Sequence, residues 1–366
     1  MGSTINIKQT FFIVFIATII LMLMSIGVSQ DLTSAVADSS EPVFIATDEV
    51  TISHLTDSHY FPLRFCHNED EGIFQEEMLT DSKLLIECSK ALEWSLQDII
   101  ANPTDYLIVS GDNTKDGSLA SHVDVANGLR FVQNEIRKIS GYEDFQIFVQ
   151  VGNHDLYNND SKDFSGDGLA KNVAITTRSD IEMVYAGLGY PDIDETTALA
   201  YYQDKGVYYD STTLASLPPM PYAIETGEDS YIHSTNATNI DYTYITDTEY
   251  NPAGFTGDDY GCTSLTYIAD VDIDNDAADN NDIVFLAIDC VKSNPIDGHV
   301  VGSSVTEELL AFLENETPDK ERKISITHHP LLEQMPMVSS LLKDFVIEDY
   351  IVTSDFLADV IGVRYN

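Results

Sequence analysis

The sequence predicts an α/β fold in which buried strands alternate with amphipathic helices. Short runs of apolar and β-branched residues stop repeatedly at polar clusters. Between several of these runs, apolar residues recur at every third or fourth position, which is the period of a helix with one buried face. Such alternation indicates a sheet covered by helices, with the functional site at the ends of the strands.

The N-terminal segment predicts export. An uncharged run, FFIVFIATIILMLMSIGV, follows a single lysine, and the small residues AVA stand at 35–37. This order is typical of a signal peptide, here 1–37 with cleavage after Ala37. The run is also long enough to span a bilayer, so an uncleaved anchor is the alternative. Either interpretation places residues 38–366 outside the cytoplasm, with membrane contact only through an uncleaved anchor.

The predicted strands and helices follow in order along 38–366. Two helices are predicted from the repeat of Leu, Val and Ile in LLIECSKALEWSLQDII and in HVDVANGLRFVQNEIRKI. A length of 366 residues with 43% hydrophobic content is sufficient for a buried core. Strands that end at polar residues are predicted within 49–60, 105–113, 145–155, 282–290 and 323–330.

The stretch of about 160–281 interrupts this alternation. It is rich in Asp, Tyr, Thr and Gly and lacks long apolar helical patterns. We therefore expect an inserted subdomain made mostly of β-structure and loops. Loops on a rigid scaffold usually shape access to a site, so the insertion is expected near the site, and a peripheral position is the alternative.

Four cysteines lie in the exported part, where disulfides persist. Pairing of nearest neighbours, Cys66 with Cys88 and Cys262 with Cys290, is the prediction. Four buried thiols are the alternative.

The net charge of -43 restricts the partners of the chain. So acidic a surface repels nucleic acid and anionic lipid, which excludes a role in binding a nucleic-acid duplex. An anionic substrate would need local positive charge from a source other than lysine and arginine.

Polar clusters with nitrogen and oxygen ligands end four of the predicted strands. Asp57 and His59 are two residues apart and would point the same way on an extended strand end. Each cluster alone is weak evidence, because such pairs are common in loops. Their conjunction predicts a metal site, and the other three clusters are SGDNTKDG at 110–117, GNHD at 152–155 and HHP at 328–330.

This set of motifs resembles the calcineurin-like metallophosphoesterase superfamily, with DxH at 57–59 and GDx4G at 111–117 beside GNHD and HHP. The resemblance covers about 48–366. It implies a four-layer α-β-β-α sandwich and hydrolysis of phosphate mono- or diesters by a water activated between two metal ions. Two cations about 3.5 to 4 Å apart would also supply the local positive charge that an acidic chain lacks.

The resemblance also implies roles for individual residues. Asp57 and His59 would bind the first metal, Asp112 would bridge both, and Asn153 and His328 would bind the second. The ions would be divalent or trivalent, and Mn, Fe or Zn all suit ligands of this kind.

Four further residues are implied or expected near the metals. His154 would stabilise the transition state or protonate the leaving alkoxide, and Asp155 would orient its ring. His329 would support the ligands from behind. His122, which begins a helix near the GDx4G turn, is expected to have a similar supporting or structural role.

One motif of the family is missing. The family's GHxH supplies one more histidine to each metal, and DGHVV at 297–301 lacks the second histidine. The chain is therefore expected to be incomplete at its C-terminus. A noncatalytic protein of the same fold, acting as a surface binding protein, is the alternative to a small-molecule phosphoesterase. The substrate would be selected by 160–281.

Overall fold

The computed structural model describes residues 50–66, 73–81, 84–156, 161–166, 169–218, 220–221, 229–245, 265–273, 282–289, 291, 307–318 and 322–328. All of them belong to one compact unit, Val50–Asn366. No helix in these ranges is both long and apolar enough to cross a membrane. The predicted signal peptide or anchor at 1–37 lies outside them.

A parallel three-stranded sheet carries the first half of the described chain. Its order is β1-β2-β3, and the strands are β1 (Ile52–Leu55), β2 (Tyr106–Ser110) and β3 (Gln146–Gln150). Every residue of β2 and β3 is buried, as expected for parallel strands that are covered on both faces. A 3-10 helix (Leu63–Phe65), α1 (Ile73–Thr80) and α2 (Leu85–Ala101) precede β2, and α3 (Leu119–Ile136) connects β2 to β3.

Short elements fill the middle of the chain. A two-residue antiparallel pair, β4 (Lys162–Asp163) and β5 (Lys171–Asn172), is followed by three helices. These helices are α4 (Arg178–Val184), α5 (Glu195–Asp204) and α6 (Ser211–Leu214).

A second sheet of four strands follows in the order β6-β7-β8-β9. Its strands are β6 (Ile240–Tyr244), β7 (Tyr267–Val271), β8 (Ile283–Ala287) and β9 (Arg322–Ile326), with α7 (Glu307–Glu316) between the last two. The pair β8 and β9 is parallel, and the other neighbours are antiparallel.

The two sheets pack against each other through aromatic side chains. The ring centroids of Phe148 and Phe285 are 4.5 Å apart, and those of Tyr106 and Phe285 are 5.3 Å apart. The hydroxyl of Tyr267 donates a hydrogen bond to the carbonyl of Val149 at 3.0 Å. The fold therefore mixes helices and sheets, as predicted, and its largest core lies between strands of both sheets.

The described residues of 160–281 combine short strands and loops with helices that the sequence did not predict. Three helices lie in this stretch, and β6 and β7 belong to the second sheet. Tyr202 and Tyr267 are fully buried in the main core. Tyr202 and Tyr267 thus supply ring surface to the core, while their hydroxyls make hydrogen bonds with Arg130 and with the carbonyl of Val149.

The predicted disulfide between Cys66 and Cys88 is not formed, and both side chains are half-buried. Cys262 and Cys290 lie outside the described residues.

Candidate metal centre

The candidate centre lies where the strands of the first sheet end. β1, β2 and β3 are parallel, so their carboxyl ends meet at one edge. Beyond β1 the backbone stays paired with the segment beyond β2. The N–H of Asp57 donates to the carbonyl of Gly111 at 3.0 Å, and the N–H of His59 donates to the carbonyl of Asp112 at 2.9 Å. These main-chain bonds fix the spacing between the two motifs.

The backbone of three candidate ligands is left-handed. Asp57, His59 and Asp112 have φ of 52°, 42° and 48°, and they are the non-glycine residues with positive φ in the described part of the chain. Such a conformation costs a non-glycine residue free energy and is concentrated at functional sites. The side chains of Asp57 and His59 do point to the same side, as expected, but a left-handed backbone and not an extended strand directs them there.

The side chains of these three residues converge on one point. One ligand atom from each lies within 4.8 Å of the others. The Nε2 of His59 is 3.8 Å from Oδ1 of Asp57 and 3.7 Å from Oδ2 of Asp112. Two ligands that each bind one ion at about 2.0 to 2.2 Å stand roughly 3 to 4 Å apart, so the group could hold a metal ion. Asp57 is exposed and Asp112 is buried, which leaves the group open on one side.

His328 reaches the same carboxylate from the end of β9. Its Nε2 is 3.3 Å from Oδ1 of Asp112, and its Nδ1 is 3.2 Å from the carbonyl of Ser110. A carbonyl only accepts, so Nδ1 carries a proton and Nε2 faces the carboxylate. Asp112 therefore presents Oδ2 to His59 and Oδ1 to His328.

The pKa values reflect this close pairing. Burial alone would raise the pKa of Asp112, but hydrogen bonding and charge interaction with His328, together with the contacts of His154, hold it below its usual range. Burial alone would lower the pKa of His328, but Asp112 raises it above its usual range. The pair therefore favours a positive charge between the carboxylate and the imidazole, as a proton or as a cation.

The GNHD turn lies directly against Asp112. The backbone N–H of His154 donates to Oδ1 of Asp112 at 2.9 Å. A Cβ at Gly152 would lie 2.2 Å from the same oxygen, so glycine permits this approach. Asn153 lies between these two contacts and is half-buried. The ring of His154 meets the ring of His59 edge-on, with centroids 5.1 Å apart.

The ring of His154 is oriented by a different residue from the one predicted. Its Nδ1 lies 2.9 Å from the carbonyl of Lys115, which fixes the proton on Nδ1. The carboxylate of Asp155 instead accepts hydrogen bonds from the backbone N–H groups of Asn113, Thr114 and Gly152, at 2.8 to 3.1 Å. Asp155 is fully buried. It therefore holds the loop after β2 against the GNHD turn.

His122 lies behind the candidate centre, against the turn that carries Asp155. It is fully buried, and its Nε2 lies 2.9 Å from the carbonyl of Asp155 while its Nδ1 lies 2.8 Å from the hydroxyl of Tyr185. Burial lowers the pKa of His122, so the ring is neutral. His329 lies outside the described residues.

Sequence reasoning missed Lys115 and Ser110, whose carbonyls hold the two histidine rings. Main-chain acceptors leave no signature in side-chain identity. The sequence around Lys115 could have indicated a buried ion pair, because it is a lysine within the acidic stretch GDNTKDG and a buried lysine needs carboxylate partners.

Comparison with known proteins adds no relative. Neither a scan against models of protein families nor a search of curated proteins finds a match to this chain. The function must therefore be inferred from the geometry and chemistry of the site.

Proposed function

We propose that the chain is an exported, metal-dependent phosphoesterase of the calcineurin-like metallophosphoesterase superfamily. The observation that carries the proposal is the position of Asp112 between two histidines. One carboxylate oxygen faces His59 and the other faces His328, which is the arrangement required of a ligand shared by two ions.

The residues present fit such ions. Asp57, His59 and Asp112 would hold one ion, and Asp112, Asn153 and His328 would hold the other. Imidazole nitrogen with carboxylate and amide oxygen suits Mn, Fe or Zn. The pairing of Asp112 with His328 supports this fit, because the geometry calls for a positive charge between them. When bound, two ions would activate a water for attack on phosphorus and neutralise charge on the phosphoryl oxygens.

Of the remaining site residues, His154 would donate a proton, and Asp155 would keep the two loops in position. His154 has its Nδ1 proton engaged by the Lys115 carbonyl, so its Nε2 is the atom that would deliver a proton to the leaving alkoxide. The contact of its backbone N–H with Asp112 keeps the ring beside the metal ligands. Asp155 would fix the distance between the Asp112 loop and the GNHD turn.

The packing of the sheets supports the proposed four-layer sandwich. Alternate residues of β8 differ in their neighbours: Phe285 packs toward the first sheet, whereas Val284 and Leu286 are fully buried outside that core. Phe312 and Leu313 of α7 are also buried. A helix layer on the outer face of the second sheet would account for both observations.

The variant Asp112→Asn tests the proposal. Asparagine tolerates left-handed backbone, so the substitution removes the charge and one shared ligand without changing the turn. We expect Mn²⁺ affinity, measured by calorimetry, to fall by at least about 10- to 100-fold, the loss that even outer partners of a metal site produce. Hydrolysis of p-nitrophenyl phosphate and its bis-p-nitrophenyl diester should fall with it.

The control is Asp241→Asn, which removes an exposed carboxylate from β6. It should leave metal affinity and hydrolysis unchanged. Equal Mn²⁺ affinity in Asp112→Asn and the parent chain would refute the metal centre. Metal binding without hydrolysis of either ester would favour a noncatalytic protein of this fold.

A further inference from the structure

Lys115 occupies an unusual position for a lysine beside the candidate centre. Its side chain is 4% exposed, and its ammonium lies 3.0 Å from Glu77 and 3.0 Å from Asp81. It also forms an ion pair with Asp116 at 2.5 Å. The carboxylates overcome the effect of burial and hold the pKa of Lys115 above its usual range, so the ammonium stays charged. Asp81 and Asp116 are largely buried, and Glu77 is half-buried, so the ammonium compensates negative charge that water reaches only in part.

The main chain of Lys115 has a second set of contacts. Its N–H donates to the carbonyl of Tyr60 at 3.1 Å, and its own carbonyl accepts the Nδ1 proton of His154 at 2.9 Å. The residue is thus held at its amide by the segment after β1 and at its ammonium by α1 and Asp81. The carbonyl between these two attachments is directed at the ring of His154.

We propose that Lys115 is the positioning residue for His154, and that α1 and Asp81 act through it. This proposal rests on the proposed function for its effect on hydrolysis. Glu77 belongs to α1 and Asp81 follows it, so the ammonium ties this helix to the loop that holds the catalytic ring. Asp116 adds to the same geometry, since its Oδ1 is 4.0 Å from Nδ1 of His154.

A cluster of phenylalanines packs α1 beside the loop that contains Lys115. Phe61, Phe74 and Phe164 are buried together, with ring centroids 6.0 Å apart in the two contacts of Phe164. The ammonium of Lys115 lies 6.0 Å from the centroid of Phe61. The position of α1 is therefore set by packing. Lys115 connects this helix to the ring of His154.

The variant Lys115→Met tests the proposal, because methionine keeps an unbranched apolar stem and removes the ammonium. The first readout needs no activity: ¹⁵N-histidine spectra of the metal-free full chain, with the signal of His154 assigned from its loss in His154→Gln. We expect the signal of the ring to move away from that of a fixed Nδ1–H tautomer. The conservative Lys115→Arg should restore the parent signal.

Hydrolysis provides the second readout. A misplaced proton donor matters most when the leaving group is basic, so phenyl phosphate should lose more rate than p-nitrophenyl phosphate. Proton donation by a side chain accelerates a reaction by about 10²- to 10⁴-fold. We therefore expect the rate of phenyl phosphate hydrolysis to fall roughly 10- to 100-fold in Lys115→Met, and the rate with the nitrophenyl ester to fall several-fold less. Combined with His154→Gln, the substitution should cost little more than His154→Gln alone.

Further variants separate positioning from misfolding. Lys90→Met is the matched control, since it breaks an ion pair with Glu93 on the half-exposed side of α2. If Lys115→Met does not fold, the double substitution Glu77→Gln with Asp81→Asn replaces it, because this leaves the pair of Lys115 and Asp116 in place. An unchanged His154 signal in the folded variant overturns the inference, as does an equal loss with both esters. Absence of hydrolysis in the parent chain overturns the proposed function, and the spectra still decide the role of Lys115.

Discussion

Asp112 lies at the centre of the candidate site. It adopts left-handed backbone, is almost fully buried, and contacts His59, His154 and His328. The sequence predicted that these residues lie near one another, because each belongs to a polar cluster that ends a predicted strand. The sequence could not predict the twisted backbone or the Lys115 carbonyl, which contacts His154 across 39 positions of sequence.

At the residue scale, His122 predicts a dependence of stability on pH. Its folded-state pKa is lowered by burial, so the folded chain keeps it neutral while the unfolded chain binds a proton below a pKa of about 6.5. Stability from this residue is present above pH 6.5 and is lost as pH falls toward the lowered pKa, at about 1.4 kcal/mol per pH unit. Between pH 7 and pH 5, the free energy of unfolding of His122→Gln should therefore fall by up to about 2 kcal/mol less than that of the parent.

Urea unfolding at the two pH values measures this difference. His122→Gln also removes hydrogen bonds to Tyr185 and Asp155, so it should be less stable at both pH values, and only the change between them is diagnostic. The control His233→Gln removes an exposed imidazole. Parallel losses in the parent and His122→Gln would show that the ring does not act as a buried neutral base.

At the scale of elements, the turns that end β2 and β3 depend on glycine. A Cβ at Gly111 would lie 2.7 Å from the backbone nitrogen of Gly152 and 2.8 Å from Cβ of His328. Real Cβ atoms do not approach other atoms so closely, so the two turns and the end of β9 can meet only if residue 111 lacks a side chain. The glycines of the motifs therefore set the distance between the candidate ligands.

The pair Gly111→Ala and Gly141→Ala isolates this effect. Both glycines have left-handed φ, at 98° and 93°, so both substitutions should cost about 1 to 2 kcal/mol of backbone strain. Nothing lies within 4 Å of a Cβ at Gly141, whereas Gly111→Ala also forces the turns apart at about 1 to 3 kcal/mol more. Urea unfolding and Mn²⁺ calorimetry should show metal affinity lost only in Gly111→Ala. Retained affinity there would mean that the turns do not set the ligand spacing.

The elements also show where sequence patterns failed. The period of apolar residues predicted both α2 and α3. Only α2 buries a single face, whereas α3 is buried on nearly all sides. The helices of 178–214 are shorter, and their signals are caps: Thr177 forms a capping box with Asp180, and Asp194 and Asp210 each accept from a backbone N–H of the first turn. Thr and Asp are common in loops, so their frequency in this stretch was interpreted as loop composition. Here they cap the N-termini of helices instead.

For the whole molecule, the sequence predicted the class of the fold but not the partnership of its sheets. Strand composition indicates burial, and it does not show that β6 and β7 join β8 rather than form a separate subdomain. Such pairing depends on contacts between distant parts of the chain. The cross-sheet contact of Phe148 with Phe285 joins residues that no local pattern connects.

The net charge of -43 predicts how ionic strength would affect the proposed hydrolysis of phosphate esters. A strongly negative surface repels anionic substrates over a distance of about 30 Å at 0.01 M salt and about 10 Å at 0.1 M. With metal at saturation, kcat/KM for p-nitrophenyl phosphate should therefore rise several-fold over this range, on the scale of steering effects, while kcat stays constant. The rise should be smaller for the singly charged bis-p-nitrophenyl diester. If kcat/KM falls with salt, or rises equally for both esters, the field of the metal centre and not that of the acidic surface governs substrate approach.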